Sequence, residues 1–238
     1  IRNELKAGRK VLYSGMACQV EGLKSFLRKD YDNLYTIDLI CMGIPSYVVW
    51  QKYLAVFFEG EKIKSINFKE KSIGWDTFTF RVDTDKRIFK ERGMHNLYRR
   101  SMFLSWNMRP SCFKCPFKNA KRISDFTLAD AWGVSHSTPD INDNKGLSSV
   151  IVHSKKGLEL WNILNDKIDS IQVSIDEISA GNSNLIANKP QTGDRKLFFE
   201  TLNVNSKEAF LNLCSIRKAP LMQRIKNKLI AIMSRFGA

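Results

Sequence analysis

Four cysteines constrain this chain more than any other feature of its sequence, because their positions suit a shared metal site. Cys112 and Cys115 form a C-x-x-C motif, and Cys18 and Cys41 each stand just after a predicted β-strand. If the two strands are parallel, their carboxyl ends share one edge of the sheet, where open α/β sheets bind ligands. Four thiolates that meet there are enough to hold one iron–sulfur cluster or one zinc ion.

The first part of the chain, up to about residue 58, alternates between strand and helix patterns. Strands are predicted at residues 10–13 and 34–40. Each is followed by apolar residues at helical spacing, over 19–27 and again from Pro45 onward. Two such units predict a parallel pairing of the strands.

Residues 62–91 change to a period of two, in which Phe78, Phe80 and Val82 alternate with polar residues. We therefore predict an α/β fold, with a mostly parallel sheet core that carries an antiparallel β insert. After the insert, a short aromatic helix is expected over 97–106. Further strands (125–130 and 146–153), a helix (156–168) and a polar, loop-like segment (173–192) complete the predicted elements.

The length of 238 residues allows one domain, or one domain with a small appendage. We assign residues 1–200 to the domain and residues 201–238 to a helical basic tail. The net charge of +14 favours an anionic partner, such as nucleic acid, an acidic membrane or an anionic cofactor. Because the chain has no DNA or RNA recognition motif, nucleic acid is the least expected of these partners.

The tail has the pattern of an amphipathic basic helix. One arc holds apolar side chains, and Arg224, Lys228 and Arg235 lie on the opposite side. A helix of this kind is typical of an interfacial membrane anchor. A terminal helix that packs on the domain's own core has the same pattern, so both interpretations stay open.

The chain has five cysteines, too few for a disulfide scaffold. It contains no run of apolar residues long enough for a membrane span and no signal peptide. We therefore expect reduced thiols in the cytoplasm, and the anchor interpretation of the tail adds peripheral contact to the inner membrane face. The chain begins at Ile1 rather than at Met, so we expect an N-terminal piece to be missing.

The flanks of the C-x-x-C motif favour an iron–sulfur cluster over zinc. Prolines on both sides restrict the loop, as is common beside cysteine ligands of iron–sulfur clusters. Zinc ribbons usually have two C-x-x-C or C-x-x-H pairs, whereas here the second pair is split between Cys18 and Cys41. A zinc-stapled basic binding module without catalysis therefore remains the alternative, and unligated core cysteines come third. Cys214 is expected to be a small buried apolar residue.

Four segments carry family motifs in a fixed order. They are SGMACQVEGL (14–23), DLICMGIPS (38–46), RPSCFKC (109–115) and SDFTLADAWG (124–133). They resemble G-T-P-C-Q-x-x-G-L, D-x-x-C-H-G-V-P-S, R-x-S-C-x-x-C and S-D-I-T-x-G-D-F-W-G in the coenzyme F-420 (deazaflavin) hydrogenase/dehydrogenase beta-subunit family. The resemblance covers the C-terminal domain of that family, from about residue 8 to about residue 200.

This resemblance implies an iron–sulfur flavoprotein oxidoreductase. Members carry FAD and iron–sulfur centres, and they exchange electrons with a diffusible acceptor such as deazaflavin or another small conjugated substrate. The implied partners are an electron donor protein or the ferredoxin-like N-terminal region that many members have. The four cysteines of the motifs would ligate one [4Fe-4S] cluster. Bacterial members of this length often belong to polysaccharide biosynthesis.

The resemblance also suggests residues for the flavin, although it assigns no catalytic residue. The candidates are Ser14, Gly15 and Gln19 in the strand-to-helix loop, the basic Lys69 and Arg109, and Asp130 and Trp132 in the last motif. Amides at the start of a helix suit a phosphate group. The sequence departs from the family where Met16-Ala17 replaces Thr-Pro and where Ala129 replaces a glycine. If flavin approaches the backbone closely here, the methyl group of Ala129 would weaken its binding.

Overall fold

The computed structural model describes residues 1–93, 95–132, 142–191 and 194–215. The amphipathic segment predicted after Pro220 lies outside the described residues, as does the side chain of Cys214. Among the described elements, the α-helices are α1 (Arg2–Lys6), α2 (Ala17–Leu27), α3 (Tyr47–Phe57), α4 (Leu97–Phe103), α5 (Lys155–Asn165), α6 (Ile175–Gly181), α7 (Arg195–Val204) and α8 (Ser206–Ser215). The strands are β1 (Val11–Ser14), β2 (Leu34–Leu39), β3 (Ile63–Glu70), β4 (Thr79–Thr84), β5 (Ile88–Arg92), β6 (Phe126–Asp130) and β7 (Ser148–Val152). Single 3-10 turns cover Pro110–Lys114 and Ser183–Leu185.

The described strands form two sheets, which confirms the predicted fold class. The first sheet has the order β1-β2-β6-β7, in which β1, β2 and β6 are parallel and β7 is antiparallel to β6. The second sheet is the antiparallel meander β3-β4-β5, as the period of two predicts. Because β1 and β2 are parallel, the residues that follow them emerge at the same edge of the first sheet.

A buried polar network joins β2 to β6. The Asp125 carboxylate accepts hydrogen bonds from the backbone N–H and the hydroxyl of Thr36, at 2.7 and 2.9 Å. The Asp38 carboxylate accepts from the hydroxyls of Ser124 and Thr127, at 3.0 and 2.6 Å. Both carboxylates are almost fully buried. The S-D-x-T part of the last motif therefore pairs these two strands through side chains as well as through the backbone.

The main core lies between the second sheet and the helices α3, α4, α7 and α8. It is largely aromatic, and Tyr53, Phe80, Tyr98, Phe198 and Phe210 are all buried there. The predicted domain boundary near residue 200 falls inside α7, and residues of α8 enter this core. A smaller cluster of Leu5, Leu27 and Leu34 closes the outer end of the first sheet.

The segment 173–192 differs from the sequence-based expectation of a polar loop. It contains helix α6, whose N-cap residue is Ser174. The Ser174 hydroxyl accepts a hydrogen bond from the Glu177 N–H, and the Glu177 carboxylate accepts one from the Ser174 N–H. This capping box stabilises the first turn of a short helix. The polar composition of the segment concealed it, because most of the helix is exposed and only Ile178 is buried.

Candidate functional site

Three loops meet at the edge of the first sheet where β1 and β2 end. Cys18 lies in the first turn of α2, directly after β1, and Cys41 follows β2. The C-x-x-C motif occupies the 3-10 turn at Pro110–Lys114 and the residue after it. Parallel pairing brings the first two loops together, as predicted, and the third loop reaches them from a distant part of the chain.

Backbone contacts hold the C-x-x-C loop against the loop of Cys41. Ile44 donates a backbone hydrogen bond to the Cys112 Sγ atom at 3.4 Å. The Arg109 N–H donates to the Ile44 carbonyl at 2.9 Å, and Pro45 forms an isolated antiparallel bridge with Met108. The relative position of Cys41 and Cys112 is therefore fixed by several contacts rather than by side-chain packing alone.

All four predicted cysteines line one small cavity of about 40 Å³. Cys18 is exposed, whereas Cys41, Cys112 and Cys115 are half-buried and none is in a disulfide. The remaining walls come from apolar and basic residues: Met16, Ala17, Gly43, Ile44, Phe117, Lys118 and Arg122. Within the described ranges, no three side chains of Cys, His, Asp or Glu form a group compact enough to hold a single metal ion. The four thiols nevertheless line one cavity, and the acidic and imidazole ligands of other metal sites are missing from its lining residues.

Two lysines lie against the cysteine loops. The Lys118 ammonium donates a hydrogen bond to the Cys41 carbonyl oxygen. The Lys189 ammonium lies 3.3 Å from the Met42 Sδ atom. Burial lowers the pKa of Lys118, and burial together with the nearby Lys118 lowers the pKa of Lys189. Burial also raises the pKa of the Cys41 thiol, a shift that the Gly43 backbone N–H and Lys118 oppose.

Three of the predicted flavin residues lie together, away from the cysteine cavity. Lys69 forms an ion pair with Asp130 at 2.6 Å, and its ammonium lies 4.8 Å from the ring centroid of Trp132. Trp132 stacks on Trp75, with the ring centroids 4.5 Å apart. This group has flat aromatic faces and a cation, which are the features that bind a planar anionic ligand. We call it the tryptophan cluster.

The other predicted flavin residues lie close to the cysteine cavity. Ser14 ends β1, and the Gly15 N–H donates to the Ile37 carbonyl. The Gln19 side chain caps α2 by accepting from the Met16 N–H at 2.8 Å, so it has a structural role in this loop. Arg109 is exposed at the start of the C-x-x-C loop.

The two places are separate along the sheet. Ser14 is level with Ile37 on β2, which pairs with Phe126 on β6. Asp130 is four residues further along β6, so it lies about 13 Å beyond that level.

Cations alternate with aromatic rings between the cysteine cavity and the tryptophan cluster. The Lys189 ammonium lies 5.4 Å from the ring centroid of Phe103, and the Arg99 guanidinium lies 5.5 Å from the same centroid. Arg99 also lies 4.4 Å from the ring centroid of Phe78, which is 5.5 Å from the Lys69 ammonium. Burial lowers the pKa of Arg99. This row of contacts joins both groups of predicted residues in one basic, aromatic region.

Three basic residues complete the site, and the sequence assigns none of them a specific role. The Arg122 side chain is buried, and its guanidinium lies 3.9 Å from the Asp38 carboxylate. Its Nε atom has no hydrogen-bond partner within the described part of the chain. In the sequence, Lys118 and Arg122 belong to the basic residues that surround the C-x-x-C motif, whereas no pattern points to Lys189. Lys118 has a signal because it is three residues from Cys115, whereas Lys189 reaches the loops from a distant segment.

A larger groove of about 770 Å³ lies elsewhere, along β7 and the segment 168–173. None of the four cysteines lines it, and neither does any predicted flavin residue. The larger groove therefore contains none of the predicted site residues, and the cysteine cavity remains the candidate site.

Comparison with known proteins gives a family. The model for the C terminus of the beta subunit of coenzyme F420 hydrogenase/dehydrogenase matches residues 8–177, which is most of the chain and includes all four cysteines of the cavity. The chain belongs to this family. As a member of the F420 hydrogenase/dehydrogenase beta-subunit family, it is an oxidoreductase domain of that type, which confirms the resemblance seen in the four motifs.

Other comparisons add little to the family match. No curated protein matches the sequence. One similar solved structure is a chain of the F420-reducing [NiFe] hydrogenase complex from Methanosarcina barkeri, with 14% identity and a TM-score of 0.44 over 87% of this chain and 67% of that one. This likeness is too low to say anything about function. In the described part of this F420 family member, no helix is both long and apolar enough to cross a membrane.

Proposed function

We propose that this chain is an iron–sulfur oxidoreductase domain in which Cys18, Cys41, Cys112 and Cys115 hold one [4Fe-4S] cluster. The observation that carries the proposal is the convergence of these four thiols on one cavity from three separate loops. Four cysteine thiolates are the usual ligands of such a cluster. Lys118 and the buried Arg122 add positive charge to the cavity wall, which suits an anionic metal–thiolate centre.

We also propose that FAD binds along the basic, aromatic region between the cysteine cavity and the tryptophan cluster. The flavin, when bound, would convert single electrons into a hydride for the acceptor. Trp132 would stack on a planar ring, and Lys69 and Arg109 would neutralise phosphate groups. Ser14 and Gly15 lie in the loop that opens α2, whose free backbone amides suit a phosphate. Asp130 would hold Lys69 in place through their ion pair.

The partners follow from this chemistry. An electron donor protein or a ferredoxin-like region would deliver single electrons to the cysteine cavity, which reaches the surface at the exposed Cys18. The acceptor would be a small conjugated molecule such as deazaflavin, the coenzyme in the family's description. We place this reaction in the cytoplasm, where thiols stay reduced. Polysaccharide biosynthesis is the setting that we propose for it.

Single substitutions test the cluster. Changing any one of the four cavity cysteines to Ser is expected to cut the iron content of anaerobically purified protein sharply, because each removes one thiolate ligand. Cys214→Ser is the matched control and should keep the iron. Full iron in both Cys18→Ser and Cys41→Ser would show that these two residues are not ligands.

Flavin binding has its own test. Heat-denatured wild-type protein is expected to release FAD, and Trp132→Ala should hold much less flavin while it keeps its iron. Trp161→Ala is a suitable control, because Trp161 lines the larger groove and not the tryptophan cluster. Protein with a full cluster and no flavin would contradict the FAD part of the proposal alone.

A further inference from the structure

Lys118 lies on the wall of the cysteine cavity itself. It follows Cys115 by three residues, and its half-buried ammonium donates a hydrogen bond to the carbonyl oxygen of Cys41. This contact joins the C-x-x-C segment to the loop after β2. It also keeps a positive charge in the wall of the cavity that the four thiols line.

Lys189 brings a second cation to the same loops from a distant part of the chain. Its half-buried ammonium lies 3.3 Å from the Sδ atom of Met42, the residue after Cys41. The neighbouring Asn188 accepts a hydrogen bond from the Cys115 N–H at 3.0 Å, so this segment contacts two of the three cysteine loops. Its position is therefore fixed relative to the cavity.

Neither ammonium forms an ion pair with a carboxylate among the described residues. Over the ranges that the structure describes, no ion pair involves Lys118 or Lys189, whereas the nearby Arg122 lies 3.9 Å from Asp38. A half-buried charge without a counter-charge is costly, and two like charges that face one loop add to the cost. Such an arrangement is stabilised when an anion lies close to both lysines.

We propose that Lys118 and Lys189 balance the negative charge of the metal–thiolate centre and thereby raise its reduction potential. This inference rests on the proposed function, since it needs a cluster at the four cysteines. Four thiolates outweigh the positive charge of the iron–sulfur core, so the centre is an anion. Reduction by one electron adds a further negative charge, and a nearby fixed cation favours that reduced state. Lys118 has the larger effect because it lines the cavity, whereas Lys189 contacts the residue beside Cys41.

A purely structural role makes a different prediction. Lysine side chains also pack their apolar stems against neighbours, and Lys189 lies beside Phe103. If the stems were all that mattered, Lys→Met would keep most of the packing and leave the potential unchanged. The reduction potential therefore separates the two roles, because it responds to charge and not to the stem.

The test uses the full chain, purified without oxygen and titrated with dithionite, the donor of the single electron. The reduced centre is followed by electron paramagnetic resonance. Lys118→Met is expected to shift the midpoint potential to a lower value, and Lys189→Met should shift it less in the same direction. Lys118→Arg keeps the charge and should stay near the wild type. Lys121→Met is the matched control, because Lys121 is exposed, and its potential should not move.

The outcomes separate this inference from the proposed function. Wild-type potentials in Lys118→Met and Lys189→Met, both with full iron, overturn the inference and leave the cluster intact. If Lys118→Met loses its iron, Lys189→Met alone provides the test. A lower potential in Lys189→Met then supports the inference, and a wild-type potential overturns it. A wild-type chain that holds no iron–sulfur centre contradicts the proposed function, and the inference falls with it.

Discussion

Gly43 and Met108 approach so closely that a Cβ atom on Gly43 would lie 2.6 Å from the Met108 Cε atom. The same Cβ would lie 3.4 Å from the Cβ atom of Cys112, and Gly43 has a φ of +145°. Met108 is fully buried, so it has little room to move. The glycine two residues after Cys41 thus allows the Cys41 loop to pack directly on the loop that carries Cys112.

Gly43→Ala is therefore expected to separate the two loops. The clash and the strained backbone should cost about 1–3 kcal/mol of the free energy of unfolding and should lower the iron content. Urea unfolding and iron analysis measure both effects. Gly22→Ala is the control, because its added methyl group meets no atom within 4 Å beyond its neighbours and the helix's own backbone, and it should be neutral or stabilising. Equal iron and equal stability in both variants would contradict the contact.

The Asp125 carboxylate should contribute strongly to the stability of the fold through contacts outside the cysteine cavity. It accepts from Thr36 on β2 and from the Ser154 hydroxyl at 2.5 Å, so it joins β2, β6 and the start of α5. Asp125→Ala leaves these buried donors without a partner and is expected to cost about 3 kcal/mol. Asp143→Ala, at an exposed carboxylate, should cost less than about 1 kcal/mol. Denaturant unfolding of the two variants checks this, and similar losses would contradict the buried network.

The burial of His153 should make the stability of the fold depend on pH. The Thr127 hydroxyl donates its hydrogen to Asp38, so it accepts from the His153 Nε2–H at 2.8 Å, which assigns the tautomer of the neutral ring. Burial lowers the pKa of His153 from its usual 6.5. The unfolded chain then binds this proton more readily than the folded chain does, so stability falls as the pH drops below 6.5.

The His153 contribution is isolated by a substitution. His153→Gln keeps a donor to Thr127 but does not titrate, so its free energy of unfolding should fall less than that of the wild type between about pH 8 and about pH 5. The acidic groups elsewhere affect both proteins equally. Parallel pH profiles for the two proteins would show that His153 does not contribute.

The tail after Pro220 gives a prediction about membranes. If this amphipathic segment is an interfacial anchor, the full chain should sediment with anionic vesicles, and each basic side chain near the surface contributes roughly 1 kcal/mol. Added salt should release the protein, and deletion of residues 219–238 should abolish binding. The same amount of pelleted protein with and without the tail would exclude the anchor.

Much of the fold could be predicted because its signals are local. The strand-to-helix units before residue 58 and the period of two around Phe80 each depend on neighbouring residues, and both appear in the structure. The helix α6 could not be predicted in the same way, because its capping box at Ser174 is a two-residue signal inside a polar segment.

The candidate site was predictable only in part. Parallel strands bring Cys18 and Cys41 to one edge by a general rule, so their proximity followed from the pattern. Lys189 could not be found in this way, because its place beside Met42 depends on the path of a loop far along the chain. The stack of Trp75 on Trp132 is also a contact between distant segments, which no local period indicates.

The most direct measurement is the metal and sulfide content of the wild-type chain purified without oxygen. The proposed [4Fe-4S] centre predicts iron and acid-labile sulfide in equal amounts, at about four of each per chain, with the visible absorption of an iron–sulfur centre. Colourless protein with about one zinc per chain and no sulfide would contradict it, and would favour a zinc-stapled binding module instead.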